Sequence, residues 1–415
     1  MQILFVTLGF YPALAWGGPV KVVYQNGKEL VRRGHSVTVY CTNLLNKKQK
    51  IQPGTFERIV DRMRIVYFDT LHLSWWPGTL GPIWLPDLPA FLRREIKSFD
   101  VVHLNGYRNP MMLPIVQAAR HAGVPFITQP QGTLPIVISS FLLKHIYDRL
   151  FGSIELKGIA TLIALQERER QQALAHGIPA ERIEIIPNGI EAYAREKLPE
   201  PGSFRRRYSL ASDRPLILFL GRINKIKGTD MLVQAFAKLK IQDAQLAIVG
   251  PDDGQLHEVE NMIQQLCLSD RVVVTGLIPD IDKMAAFQDA DLFVLPSRSD
   301  AYPTTVMEAC MVGIPMVITD RCEMAHLVTD RVADIVPFDP QAFATAIERL
   351  LTDHDRYARY QANCQNVFAD TFSIGTVVDH LEAVYQRVIT EKVNEQFAIQ
   401  AQEITHQPSL NKKGN

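Results

Sequence analysis

The sequence predicts an α/β protein built from two Rossmann-like, doubly wound domains. Three observations carry that expectation. Short apolar runs of strand length alternate with helical stretches along nearly all of the 415 residues. Most of these runs are apolar on both faces, as buried parallel strands are. The alternation is interrupted once, at EAYAREKLPEPGSFRRRYSLASD (191–213), where Pro, Gly and charge replace the rhythm, and then it restarts.

The elements follow in order. QILFVTLG reads as a first strand ending in a glycine-rich turn, Gly17-Gly18-Pro19. VKVVYQNGKELVRRG then places Val20, Val23, Leu30 and Val31 at helical spacing, and Gly34 stops it before the strand HSVTVYCT. DVVHLNG (100–106), PFITQPQG (125–132) and TLIALQ (161–166) continue the first sheet. RPLILFLGRI (214–223), AQLAIVGP (244–251), RVVVTGLI (271–278), DLFVLPS (291–297) and PMVITD (315–320) make the second. The expected boundaries are 1–192 and 193–372, with a helix near 373–390 packing back on the first domain. The tail 391–415 is polar and expected to be disordered.

Composition narrows the function classes. Lys plus Arg and Asp plus Glu are equal at 44 each, so net charge is zero, which argues against wholesale nucleic-acid binding. The charge is uneven: residues 1–190 carry 21 Lys and Arg against 13 Asp and Glu. A basic front half suits an anionic lipid or acidic substrate, or is only a scatter of solvated charge. The 5 cysteines form no CxxC, which suits reduced, mostly buried thiols in a cytosolic protein. The N-terminus lacks a basic n-region and is read as a strand rather than a signal peptide. No apolar stretch is long enough to span a bilayer.

The unusual residues sit after strands, where ligands bind in such sheets. GRINKIKG (221–228) puts Arg222 and Lys227 between a strand and a helix. Two cations beside free helix N–H groups suit a diphosphate, and a solvated basic loop is the plainer reading. Gly221 and Gly228 would let the backbone approach a ligand closely. RSDAYPTTVMEA (298–309) holds Asp300 and Glu308 at either end of a strand-to-helix corner. Spacing alone does not separate an acid/base pair from other uses. Neither GxGxxG nor GxxxxGK[ST] occurs. Asp289/Asp291, Asp280/Asp282 and Asp353/Asp355 are Asp-x-Asp pairs, but a metal-holding pair would follow a strand, and Asp289/Asp291 precede one; helix-end capping is the reading favoured. His103 reads as a structural histidine. LSWWPGTLGPIWLP (73–86) gathers Trp75, Trp76 and Trp84 into one loop, either an apolar patch for lipid or ordinary packing. VISSFLLKHIYDRLFG (137–152) is likewise a core-facing or an interfacial helix.

Taken together and in order, these motifs resemble the retaining, nucleotide-sugar-dependent glycosyltransferases of family 4, over about residues 1–390. The carriers are the Gly17-Gly18 loop with its helix and GHSVTVY strand, PNGIE (187–191), GRINKIKG and DLFVLPSRSDAYPTTVMEACMVGIPMVITD. The resemblance implies the GT-B fold, two such domains facing a central cleft. It implies that Arg222 and Lys227 bind the donor diphosphate and that Glu308 accepts ribose hydroxyls. Asp300 would lie by the donor sugar and Gln131 by the donor sugar or the acceptor, and the Thr304-Thr305 amides would face phosphate. Gly17 and Gly18 would leave room for the diphosphate, and backbone at Leu277 and Ile278 would border the base. The implied reaction moves a hexosyl unit from a UDP- or GDP-sugar to a saccharide or lipid-linked saccharide in cell-surface polysaccharide or glycolipid synthesis, without a metal. The expected setting is cytoplasmic, with contact at the inner face of the membrane through Trp75, Trp76 and Trp84. A GT-B epimerase and a non-catalytic sugar-nucleotide-binding subunit are the alternatives. The chain departs from the family at Asp300 (usually Glu), Ala301 (usually Gly) and Gln131 (His in many members), which bears on sugar specificity.

Overall fold

The structure is a computed structural model. It describes residues 1–405 except 14–15, 47, 73–82, 110, 135–144 and 193–198, and the side chains of 153 and 396–405. The chain divides into two compact units. Unit 1 comprises Met1–Asn188 and Val377–Asn415, and unit 2 comprises Gly189–Thr376.

Unit 1 is built on an eight-stranded sheet. In chain order its strands are β1 (Gln2–Val6), β2 (Ser36–Thr42), β3 (Phe56–Val60), β4 (Met63–Phe68), β7 (Val101–Asn105), β8 (Phe126–Gln129), β9 (Thr161–Ala164) and β10 (Ile183–Ile185); β5 (Leu71–His72) and β6 (Ile83–Trp84) form a separate ribbon. The sheet order is β10-β9-β8-β7-β1-β2-β4-β3. All pairs are parallel except β3 with β4. That hairpin departs from the expected all-parallel sheet. It turns on Asp61 and Arg62, both at positive φ, without the Asn-Gly that announces such turns. Leu4, Val6, Val66, Phe68, Val102 and Leu104 lie in one buried cluster with Ile115 and Val116 of the Met112–Ala122 helix.

Unit 2 holds a six-stranded parallel sheet: β11 (Leu216–Leu220), β12 (Gln245–Val249), β13 (Val272–Gly276), β14 (Leu292–Leu295), β15 (Met316–Thr319) and β16 (Ala333–Val336). Its order is β13-β12-β11-β14-β15-β16. The period-2 geometry of the strands is visible in the core. Leu216, Leu218, Phe293 and Leu295 pack on one face with the Thr304–Val312 helix. Ile217, Phe219, Leu292 and Val294 pack on the other with the Thr229–Ala237 helix. The strand order reverses between β11 and β14. Connections from those two strands therefore leave in opposite directions and open a crevice at their carboxyl ends.

The last helix runs Ile374–Thr405. Helix thus continues well past residue 391, where disorder was expected. The segment EKVNEQFAIQAQEIT contains neither Gly nor Pro and is rich in good helix formers. Within unit 1 this helix is tied down by Glu382, which pairs with Arg33 and His35, and by Tyr385, whose hydroxyl meets the Nδ1 of His103 at 2.7 Å. The Pro- and Gly-rich interruption at 191–213 also holds a helix. Ser203–Arg207 is a short helix with Phe204 and Arg205 buried. Among the described residues no helix is long and apolar enough to cross a membrane.

Candidate active site

The carboxyl edge of the unit 2 sheet gathers most of the singled-out residues. β11 runs into Gly221-Arg222, β13 into Leu277-Ile278, and β14 into Pro296-Ser297 and then Asp300. Asn224 shapes the first of these loops, because its side chain accepts the Lys227 N–H at 2.9 Å and caps the turn Lys225–Lys227. Gly228 follows in a left-handed conformation (φ 71°), and a Cβ there would stand 1.9 Å from the Pro296 carbonyl oxygen. The glycine lets the β11 and β14 loops touch backbone to backbone. Its role is therefore packing between protein segments, where approach to a ligand was expected.

The two cations are already paired in the protein itself. Lys227 Nζ forms an ion pair with Asp300 Oδ2, their side chains only 19% and 11% exposed. Ser297 Oγ donates to the same carboxylate oxygen at 3.4 Å. Arg222, by contrast, is well exposed and reaches Asp253 Oδ2 at 2.7 Å, an oxygen it shares with Asn224 Nδ2. Lys227 is held in a recess and Arg222 lies at a rim. An anion of two or more charges entering this crevice would exchange each protein carboxylate for a phosphate oxygen.

The Thr304–Val312 helix starts beside these groups. Pro303 occupies its cap position and no side chain caps it, so the first-turn amides of Thr304 and Thr305 have no acceptor within the helix. Glu308 lies one turn further on. Its Oε1 accepts from Lys283 Nζ at 2.7 Å, across from the Asp280–Asp289 helix. Leu277 is 78% exposed on the loop leading to that helix. Arg222, Lys227, Asp300, Thr304, Thr305, Glu308, Leu277 and Ile278 thus all border one edge of unit 2.

The remaining singled-out residues lie at the carboxyl edge of the unit 1 sheet. Gly17 (φ 79°) and Gly18 open the Gly18–Arg32 helix after β1, and, their own chain neighbours and helix backbone aside, no atom of the described residues lies within 4 Å of a Cβ built at either. Gln131 (φ 57°) follows β8 and forms a reciprocal amide pair with Asn188. Asn188 Nδ2 donates to Gln131 Oε1 at 2.9 Å, and Gln131 Nε2 donates to Asn188 Oδ1 at 3.3 Å. Gln129 Nε2 joins the same oxygen at 3.3 Å. Beneath them, buried Glu169 accepts the Gly132 and Leu165 amides, each at 2.7 Å, clamping the loops after β8 and β9 together.

Other residues prove to be structural. Asp289 accepts the amides of Gly202, Phe204 and Arg205, and Asp291 pairs with Arg205 and the Leu216 amide. Asp353 caps the His354–Val367 helix. Among the described residues no group of three or more His, Cys, Asp and Glu side chains is placed to hold a metal ion. His103 is fully buried, and burial pushes its pKa down to about 3, so it stays neutral. Four cysteines are buried and Cys267 is exposed. Trp84 is 69% exposed. Trp75 and Trp76 lie outside the described residues, as does 137–144 of the amphipathic segment. In its remainder Ile146, Leu150 and Phe151 are 45%, 57% and 39% exposed, so that stretch is not wholly core-facing. Lys283, Asn188, Asp253 and Glu169 were not singled out from sequence. Only Asn188, inside PNGIE, carried a motif signal.

The family model described as "Glycosyl transferases group 1" matches residues 202–367, and that described as "Glycosyl transferase 4-like domain" matches 17–189. The chain belongs to the group 1 glycosyltransferases. This glycosyltransferase is 27% identical over 332 residues to the alpha-D-kanosaminyltransferase of Streptomyces kanamyceticus, covering 76% of this chain and 83% of that protein. It is 26% identical over 375 residues to the D-inositol 3-phosphate glycosyltransferase of Xylanimonas cellulosilytica, covering 84% and 87%. Its fold is GT-B. Anabaena Alr3699/HepE, solved in complex with UDP, superposes with a TM-score of 0.71 at 17% identity, covering 93% of this chain and 100% of that one.

Proposed function

We propose that this glycosyltransferase moves a hexosyl unit, with retention, from a UDP- or GDP-sugar to a saccharide or lipid-linked saccharide. The observation that carries the donor site is the convergence at the β11/β14 switch point. Two cations, an uncapped helix start and a recessed carboxylate stand there on adjacent loops and helices. The HepE complexes with UDP and with UDP-glucose support a nucleotide-sugar donor.

In this reading Lys227 and Arg222 bind the diphosphate, and the Thr304 and Thr305 amides add hydrogen bonds at the positive end of their helix. As the glycosidic C–O bond lengthens, negative charge grows on the leaving phosphate. Lys227, recessed and only 19% exposed, stabilises that charge more than a solvated lysine would. Glu308 receives the ribose hydroxyls, and the backbone of Leu277 and Ile278 borders the base. Asp300 orients Lys227 before the donor arrives and turns to the sugar hydroxyls afterwards. The leaving phosphate helps deprotonate the acceptor hydroxyl, so neither a protein nucleophile nor a metal ion is used. In unit 1, the Gly17-Gly18 turn leaves open space at the carboxyl edge of its own sheet, and Gln131 presents an amide, held by Asn188, to a sugar. The polysaccharide or glycolipid under construction sits at the inner face of the cytoplasmic membrane, with Trp75, Trp76 and Trp84 as the contact.

Transfer assays on Lys227→Ala and Glu308→Ala test the donor site. Each is expected to lose at least tenfold in transfer (about 1.4 kcal/mol or more) with the fold intact. Full activity in both variants refutes the assignment. A product that is an isomerised nucleotide sugar, formed without any acceptor, would identify an epimerase instead. Tight donor binding with no turnover on any acceptor would identify a binding subunit.

A further inference from the structure

We propose that Lys283 is a positioning residue for the nucleoside half of the donor, acting through Glu308. The proposal rests on the donor-site reading above and extends it to a side chain that no motif marks.

Lys283 lies on the Asp280–Asp289 helix, which begins two residues after the Leu277-Ile278 loop. Its neighbours Met284, Ala285, Ala286 and Phe287 are buried, so this helix faces the core at that level. A lysine placed there loses hydration and rotamer freedom together. Its ammonium is nevertheless drawn in. The Lys283 side chain is 15% exposed and Glu308 12%, with Nζ 2.7 Å from Oε1. The carboxylate one turn back on its own helix, Asp280, lies further from Nζ at 3.6 Å and is 78% exposed. The strong contact therefore reaches across to the neighbouring helix.

The geometry divides the Glu308 carboxylate. Oε1 is engaged by the ammonium, and among the described residues no other side-chain bond is recorded to Glu308. A carboxylate pinned by one oxygen presents the other in a fixed direction. A vicinal ribose diol then binds without first having to freeze the Glu side chain. Because Glu308 is largely withdrawn from water, its charge also needs a partner when no nucleotide is bound, and Lys283 supplies it. The ligand class is a nucleoside diphosphate with both ribose hydroxyls. The consequence is selectivity for ribose over deoxyribose that depends on Lys283.

The test is calorimetric titration of UDP, GDP and their 2′,3′-dideoxy counterparts into the full-length protein. The variants are K283M, K283R, E308Q and the double variant K283M/E308Q, each checked by thermal melting. K283M is expected to weaken the ribonucleotide by 5- to 20-fold and the dideoxy form by less than 2-fold. K283R, which keeps the cation, is expected to recover most of the loss. In the E308Q background K283M should add less than 2-fold, because its route to the ligand is gone. Unchanged ribonucleotide binding in K283M overturns the proposal. So does an equal loss for both sugar types, or a loss that K283R does not recover, since any of these marks a helix-to-helix staple. If E308Q alone leaves binding intact, the donor-site reading has failed; if E308Q weakens binding and K283M does not, only the role of Lys283 has. Should K283M not fold, K283Q, which keeps a hydrogen-bond donor without the charge, is held to the same criteria.

Discussion

Asp300→Asn should tighten nucleoside diphosphate binding while slowing transfer. Asp300 holds Lys227, the cation assigned to the diphosphate. With side chains 11% and 19% exposed, the pair sits where an effective dielectric near 20 applies. Two unit charges 4 Å apart then attract by about 4 kcal/mol. A bound diphosphate competes for that attraction and also meets the repulsion of a nearby carboxylate. Asn keeps the shape and the local frame, in which the residue 300 amide donates to Arg321 and its carbonyl accepts from Glu323. It removes only the charge. Some of the released attraction is lost to rehydration of Lys227, which leaves a net gain of about 1–2 kcal/mol, or about 5- to 30-fold in Kd. Turnover should fall at least tenfold, because the sugar loses a charged hydrogen-bond acceptor. Calorimetry with UDP and GDP measures the first effect and a transfer assay the second. An unchanged or weaker Kd in D300N would refute the view that Asp300 and the diphosphate compete for Lys227.

Three further outcomes follow from the same structure. Glu155 is fully buried and accepts the Tyr147 hydroxyl at 2.9 Å, near Asp148 and Arg108, and burial pushes its pKa up to about 8. The folded protein therefore keeps a proton that an unfolded Glu releases near 4.5, so this stabilising contribution is full below about pH 4.5 and is lost as pH rises through about 8. Glu155→Gln should gain stability relative to the parent by up to about 1.4 kcal/mol per pH unit between pH 5 and 8, read by urea denaturation; a pH-independent difference contradicts the buried acid. Gly228→Ala adds a Cβ 1.9 Å from the Pro296 oxygen at positive φ, and a loss of about 3 kcal/mol or more is expected, lowering Tm by roughly 6–12 °C. A melt within 2 °C (under about 1 kcal/mol) would show that the two loops yield easily. Replacing Trp75, Trp76 and Trp84 with Ser should reduce co-sedimentation with anionic liposomes severalfold, and unchanged sedimentation removes the membrane contact.

Ten of the strands were legible because most are short apolar runs with both faces buried, as in LILFL at β11; β3, with Glu57, Arg58 and Ile59 exposed, and β4, β5, β6, β10 and β16 did not read as strands. The Asp61-Arg62 hairpin was not legible, since left-handed turns usually declare themselves through Gly or Asn. Asp289 and Asp291 could be read as structural because they precede β14, away from the edge where ligands bind. Lys227 and Asp300 were each legible as motif residues, but their pairing was not. It depends on β11 and β14 being sheet neighbours, although 73 residues separate the two side chains. Lys283 with Glu308, and Gln131 with Asn188, are tertiary pairings of the same kind. No local pattern encodes them.

The central claim is that the β11/β14 switch point of unit 2 binds the donor nucleotide. Hydrogen exchange with and without saturating UDP or GDP tests it most directly. The account predicts slowed exchange at residues 221–229 and 302–308, and loss of that slowing in Lys227→Ala. Slowing elsewhere in the chain, with these two segments unaffected, would contradict it.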